Sequence, residues 1–539
     1  MLRFGLINRL VPAIFGLLGC SGFIAAPAPA APAPTSLAQP AVPGAALFGS
    51  GAVGPIQIDI APEDMESLRK NPREDVRAMF QFGGSIYTNI AVHLKGRSGS
   101  FRSLDDRPGL TLTFDKFAPG QQLDGLTRLH LNNSVEDPSF ANDWLGSEIF
   151  RAAGLPATRT AHALVTVNGR KLGLYVVKES FTPEFLRAHF KRTDGNLYEN
   201  APTDEDPGLM KRNSGSGADD QSDLKALLAA ASEPDLAKRW QRLEQVLDLD
   251  SFLSFMAMEM IVGHRDGYCL AANNYRLYFN PGPGRFAFLP TGMDQLFGRA
   301  DLPLRASMGG PVARAVMEMP QGRRLYLERA ALLFTNVFKS DALTNRAAQL
   351  LAQLRPVLTA DEARDLGQHI AVVQEKILRR AANLARQLSE PELKPLQFDN
   401  GAVKLANWRA VDPPEGGRLD QTRSPDGRAG LHIAAGLVTS ASWRTKVRLL
   451  AGRYRFEGSI LTSSVKPLAY GKNKGAGLRV SEARRATPHQ LAGDTPWTKV
   501  GVDWELTAPE TDVELMCELR ASQGSAWFDL ESLRLIHLQ

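Results

Sequence analysis

Cysteine is nearly absent: 539 residues hold three, and one of them, Cys20, falls in an N-terminal stretch with the marks of a leader. Cys269 and Cys517 lie far apart in segments of different character, so a disulfide framework is not expected. No second long apolar run follows the leader, so no helical membrane span is expected in the body of the chain. Blocks of Lys and Arg interleaved with aromatics are also missing. The formal net charge of +5 and pI near 9.0 are mild at this length, so nucleic acid is not an expected partner. Neither an internal repeat nor a Walker A sequence is present.

At 58.8 kDa and 43% hydrophobic, the chain can bury more than one core. Residues 1–30 read as a signal peptide: Arg3 and Arg9 are basic, 10–26 is mostly apolar, and Ala-Pro-Ala sites follow. Leu17-Leu18-Gly19-Cys20 also resembles a lipobox in which Cys20 would be acylated, a reading set ahead of soluble secretion. Either route gives an exported protein of the cell envelope, periplasmic or extracellular, and the only membrane contact expected is the lipid anchor of the first route. Residues 31–50 read as an Ala/Pro-rich linker.

From 51 to 392 strands and helices mix. Ile56, Ile58 and Ile60 have strand spacing, and 86–94 and 110–114 read as strands. Residues 144–153 read as a helix stopped by Gly154 and Pro156. Asn168-Gly169 between two β runs predicts a type I′ hairpin. Residues 200–225 read as a mobile loop. Thr359-Ala360-Asp361-Glu362 is a capping box opening a helix with Leu366, Ile370, Val373, Ile377, Leu384 and Leu388 along one face. Residues 397–539 alternate as short strands separated by turns, which predicts an antiparallel, jelly-roll-like sandwich.

Chemistry concentrates in His264-Arg265-Asp266-Gly267-Tyr268, Asn273-Asn274 and Leu289-Pro290-Thr291-Gly292-Met293-Asp294. Two carboxylates bracketing an amide pair around a β-hairpin supply hard oxygen ligands for a divalent cation, with one acid left as a general base. Upstream, Lys95-Gly96-Arg97-Ser98-Gly99-Ser100-Phe101-Arg102 follows a strand. Its glycines let backbone N–H groups turn toward a phosphate, and its cations add positive charge. A glycosidase pair is the weaker alternative for Asp266 and Asp294, because amides and a basic loop suit phosphate better than a general acid.

Together with Leu129-His130-Leu131-Asn132-Asn133, Gly154-Leu155-Pro156-Ala157, Gly173-Leu174-Tyr175, Asp194-Gly195-Asn196-Leu197-Tyr198 and Asn274-Tyr275-Arg276-Leu277-Tyr278, these segments resemble the CotH-type atypical protein kinases. The resemblance implies a multidomain chain, an α+β atypical kinase-like fold followed by the all-β sandwich. It implies ATP with Mg²⁺ or Mn²⁺, and phosphoryl transfer to Ser/Thr hydroxyls of a protein substrate. Asp266 would be the catalytic base, and Asp294 with Asn274 and Asn273 would form the metal shell. Lys95, Gly96, Gly99 and Ser100 would cover the nucleotide phosphates, Glu179 would lie near the base-binding hinge, and Glu148 would pair with the phosphate-binding cation. Many relatives carry Lys where this chain has Arg107, so Arg107 or Lys95 would serve. The alternative is a catalytically weak or inactive CotH-like surface protein that binds glycans or proteins. Trp408, Trp443, Trp497, Trp504 and Trp527 fall in or near the sandwich, and most are expected to fill its core, leaving a possible glycan contact at any exposed one.

Overall fold

The computed structural model describes residues 42–49, 54–97, 99–199, 210–217, 220–390, 393–471, 473–481 and 490–538. Cys20 and the leader, Ser98 and part of the expected loop (200–209, 218–219) lie outside the described residues. Among the described residues no helix is long and apolar enough to cross a membrane.

Seven strands form a closed barrel in the order β1-β2-β3-β4-β5-β7-β6: Gly54–Ile60, Val76–Phe82, Ser85–Lys95, Gly109–Thr113, Arg128–Asn132, Thr160–Val167 and Arg170–Glu179 number β1 to β7. Closure comes from β1, antiparallel to β2 and parallel to β6. Alternation decides the two faces: Val92, Leu94, Leu129, Leu131, Tyr175 and Val177 fill the interior, so Lys95, Asn132 and Lys178 project from the outer face. The β6–β7 connection has Asn168 at φ 47° and Gly169 at φ 76°, the paired positive values a type I′ turn requires.

One end of the expected linker is part of the fold. Ala45–Phe48 is a helical turn whose Leu47 enters the barrel core, and Ala46 N donates to Asp124 Oδ2 at 2.7 Å. The expected mobile loop is also partly ordered structure: β9 (Lys211–Ser214) pairs with β8 (Leu197–Glu199), and a helix begins at Ser222. Apolar periodicity is weak over 211–214, which is why a strand was not expected there.

The rest of the body is helical around a second sheet, β11-β10-β8-β9, in which Tyr275–Asn280 (β10) and Arg285–Pro290 (β11) make the expected hairpin. The Leu249–Val262 helix is buried almost throughout and packs Phe252 and Phe255 on Phe288. Thr359 and Glu362 close both halves of the capping box that starts Ala360–Ser389.

Residues beyond 393 form a separate β structure with its own apolar core, in which Trp408, Trp443 and Trp504 are buried and Trp497 and Trp527 are half-buried. Its long strands Thr439–Pro467 and Gly493–Asp529 pair along most of their length, from Thr439 opposite Ala521 to Val465 opposite Gly493. The partner numbers fall as the strand advances, so this pair runs antiparallel, as do the other pairings in the sheet. It meets the helical body through Arg305–Asp512 (3.3 Å) and Arg323–Glu510 (2.6 Å). The chain is therefore a multidomain α+β body followed by an all-β antiparallel sandwich.

Replacing Thr359 by Ala removes the side-chain acceptor for Glu362 N and is expected to cost about 1 kcal/mol. Urea unfolding followed by helix ellipticity should show the midpoint falling with unchanged slope.

Candidate functional site

The site is assembled from the outer face of the barrel, the N-terminal turn of the Asn142–Ala152 helix, and the two loops flanking the β10–β11 hairpin. Lys95 reaches across β4 to donate to Asn132 Oδ1. It can cross because β4 offers Gly109 at that point; a Cβ there would lie 3.1 Å from Lys95 Cγ. Asn132 Nδ2 donates in turn to Asp143 Oδ2 at 3.1 Å. Lys178 donates to Asp143 Oδ1 at 2.6 Å, and both of these side chains are buried. The same oxygen accepts Met293 N at 3.1 Å, and Asn142 Nδ2 donates to Asp294 O at 2.8 Å. The helix can approach this closely because residue 146 is glycine: a Cβ there would fall 2.7 Å from Leu296 Cδ1.

Charge follows from this packing. Burial drives the Asp143 carboxyl up, but Lys178 and Lys95 outweigh it and hold the group below the usual carboxylate range. Burial pulls the Lys95 ammonium down to about 8, with Lys178 adding to the effect. Asp294 is pushed up to about 6, first by burial and then by the nearby Asp143 charge. An acid displaced that far, beside two lysines already engaged with Asp143 and Asn132, is short of a cation.

The Asp266 loop is a second construction. Asp266 Oδ2 accepts from Asn273 Nδ2 (3.0 Å) and Asn274 Nδ2 (2.7 Å). Asn274, at φ 51°, packs against Gly292, where a Cβ would lie 2.4 Å from its Cγ. Beneath the loop, Glu259 is fully buried and accepts Tyr268 N (3.0 Å) and Cys269 N (2.6 Å). His264 sits 3.4 Å from the same carboxylate and bonds Gly292 O at 2.9 Å through Nε2. Burial lowers the imidazole pKa, yet Glu259 more than offsets it, leaving the group above its ordinary value. Asp266 and Asp294 are thus tied to one another through Asn274, His264 and Gly292, two residues before Asp294.

The glycine loop closes over this edge. Gly96 and Gly99 have φ 113° and 95°, and Asn133 Nδ2 holds Ser100 O at 3.0 Å. The space a Gly99 side chain would fill is taken by Glu136, which accepts from Gln295 Nε2 at 3.1 Å, one residue after Asp294.

The family described as CotH kinase protein matches residues 92–380, more than half of the chain. The chain belongs to the CotH family. It is 22% identical over 330 residues to inner spore coat protein H of Bacillus subtilis, covering 57% of this chain and 88% of that one. It is 23% identical over 343 residues to invasin CotH2 of Rhizopus delemar, 56% of each chain. Among solved structures, the Helicobacter pylori proinflammatory kinase CtkA matches at 11% identity and a TM-score of 0.27 over 52% of this chain and 95% of that one, too loosely to carry residue roles.

Not every residue expected at a CotH site is brought there. Glu148 forms a two-point pair with Arg346 (2.6 and 2.9 Å), because it lies a full turn beyond Asp143 and faces the Ser340–Leu354 helix. The acid on the Asn142–Ala152 helix that meets a lysine is Asp143. Arg107 donates to Leu174 O and lies between the rings of Phe140 and Tyr175, 5.3 and 5.2 Å from their centroids. The Glu179 carboxylate is taken up by Arg159, which meets it through its backbone N–H, Nε and Nη2 at 3.0, 3.0 and 2.5 Å. Lys178, Asp143 and Glu259 were not singled out from the sequence, and Asn132 stood in a quoted segment without a role of its own. Lys178 had a visible signal, a cation in strand phase with Leu174 and Val176.

Among the described residues no cluster of three or more His, Cys, Asp and Glu could hold a metal ion. A Mg²⁺-type site needs fewer, one or two carboxylates with the remaining positions taken by water and substrate phosphate. The residues present fit that demand: Asp294 is short of a cation, and the buried Asn142 Oδ1 beside it has no hydrogen-bond partner.

The Asp294 shift fixes a sign. A carboxyl at about 6 when folded, against 3.8 ordinarily, favours the fold below pH 4 and loses that contribution as pH rises through 6. At pH 7.5 the ionised group costs up to about 3 kcal/mol. Asp294→Asn is therefore expected to melt higher than the parent at pH 7.5 without divalent cations, the gap closing toward pH 4; scanning calorimetry across that range checks it.

Proposed function

We propose that the chain is an exported protein kinase that transfers the γ-phosphoryl group of ATP to Ser/Thr hydroxyls of a protein. Membership of the CotH family supports the kinase-like character. The observation that carries the finer reading is the pairing of two half-buried acids, Asp266 and Asp294, with the Lys95–Asn132–Asp143–Lys178 chain beside a glycine loop.

Each group has a role. Asp266, held by two amide donors, accepts the proton of the substrate hydroxyl. Asp294 would hold Mg²⁺ or Mn²⁺, with the amide oxygens of Asn142, Asn273 and Asn274 as candidate companions. The bound cation supplies neutralisation of phosphate charge. Lys95 and Lys178 face the remaining negative charge, and the Gly96 and Gly99 N–H groups of the glycine loop face the phosphate oxygens. Burial of Lys178 with Asp143 fixes the ammonium's position, the task a Lys–Glu pair performs in protein kinases. On this reading Arg107 need not take that role. Export follows from the leader-like N-terminus and agrees with relatives named for a spore coat and an invasin. Trp527, half-buried and stacked on His432 at 4.6 Å, is the candidate for a glycan contact.

With γ-labelled ATP and Mn²⁺, the intact protein should label itself or an added protein. Asp266→Asn should lower the rate about 10²–10⁴-fold, and Asp294→Ala should abolish it. Equal labelling by the intact protein and Asp294→Ala, or none by either, would reject the reading.

A further inference from the structure

The apolar face of the Ala360–Ser389 helix carries one charged residue. Arg380 lies three positions after Ile377 and four before Leu384, in phase with the stripe, and is fully buried. Charged side chains are almost never buried this deeply without a carboxylate partner. Here the guanidinium spends its donors on four main-chain carbonyls. Nε reaches Ile261 O at 3.0 Å and Nη2 reaches Met260 O at 2.7 Å. Nη1 is shared between Ala300 O at 3.0 Å and Leu302 O at 2.6 Å. Burial lowers its pKa to about 10, so it stays charged at neutral pH.

The carbonyls belong to two segments that matter. Met260 and Ile261 lie in the last turn of the Leu249–Val262 helix, where the Gly263 N–H returns to Glu259 O and Met260 O, and the chain then turns at Gly263 (φ 63°) into His264 and Asp266. Ala300 and Leu302 follow the turn that bears Asp294. Phe297 N donates to Val262 O at 2.8 Å, adding a second tie between the same strands of chain. The end of this helix is closed by the Gly263 and His264 N–H groups and, in addition, by a residue more than a hundred positions downstream, and the same residue grips the other loop.

We propose that Arg380 is a positioning residue that sets the Asp266 loop against the Asp294 loop, so that base and cation-binding acid act on one substrate. It touches neither substrate nor nucleotide. Its planar fork is the reason it is arginine: five N–H groups in one plane can serve four carbonyls on two segments, whereas an ammonium has three donors on one atom. This assignment of a catalytic consequence rests on the kinase reading above; the mechanical coupling of the two loops does not.

The test separates those two layers. In the full-length chain, Arg380→Met and the milder Arg380→Lys are compared with the parent by hydrogen exchange and by phosphotransfer. Exchange at 263–268 and 296–302 is expected to quicken together, at least tenfold in Arg380→Met and less in Arg380→Lys, with barrel strands β1–β7 unchanged. Per folded molecule, well below the melting point, kcat should fall at least tenfold while the nucleotide KM stays within about threefold. Quickening in one segment only, or uniformly through the chain, overturns the coupling, as does unchanged kcat in folded variants of an active parent. If Arg380→Met does not fold, Arg380→Lys decides by the same criteria. If the parent shows no phosphotransfer, the kinase reading fails, and the exchange pattern still rules on Arg380.

Discussion

The carboxylate of Asp143 is the point on which the two halves of the CotH region meet. One oxygen takes a buried lysine from β7 and a backbone N–H from the turn before Asp294; the other takes an amide that in turn holds a lysine from β3. A buried ion pair is a poor source of net stability, because desolvating both charges consumes most of their attraction. Its worth here is geometric. Once Asp143 is out of water it must be satisfied, and the arrangement that satisfies it brings β5, β7 and the Asp294 turn within hydrogen-bonding distance of one helix N-terminus, with β3 reached through Asn132.

Glycine makes that convergence sterically possible at two places. Gly109 leaves β4 bare where Lys95 passes over it, and Gly146 lets the helix seat against Met293 and Leu296. Opposite them, the Asp266 loop is held from below by Glu259 and from the side by two asparagines. The result is a polar edge with opposite deficits: lysines already partly engaged with a carboxylate, and an Asp294 carboxyl that burial has left without enough positive charge. On the function proposed above, a cation bridging to an anionic substrate would answer both deficits.

Much of this was legible beforehand where the relevant signal is local. The type I′ turn at Asn168-Gly169, the capping box at Thr359, the β10–β11 hairpin and the two acids flanking it depend on neighbours a few residues apart. The amide pair's approach to Asp266 was legible as proximity, though the structure makes both amides donors to that acid. Placement departed from expectation where a choice among equivalent residues depended on direction. Glu148 and Asp143 share one helix, five positions apart, and only the docking of the Ser340–Leu354 helix turns Glu148 toward Arg346. Arg107 has the right charge for a phosphate, but its path lies between Phe140 and Tyr175 and ends on a carbonyl.

By itself, the order of residues determined the family, the two-part architecture, the elements, and the acids and glycines that the fold gathers on one polar edge, because periodicity, turn propensity and motif spacing are short-range properties. Which lysine meets which carboxylate, where the 211–214 strand pairs, and how Arg380 joins two loops were decided only in the folded chain. Those outcomes depend on which groups lose water together, and burial is a property of the whole packing rather than of any segment.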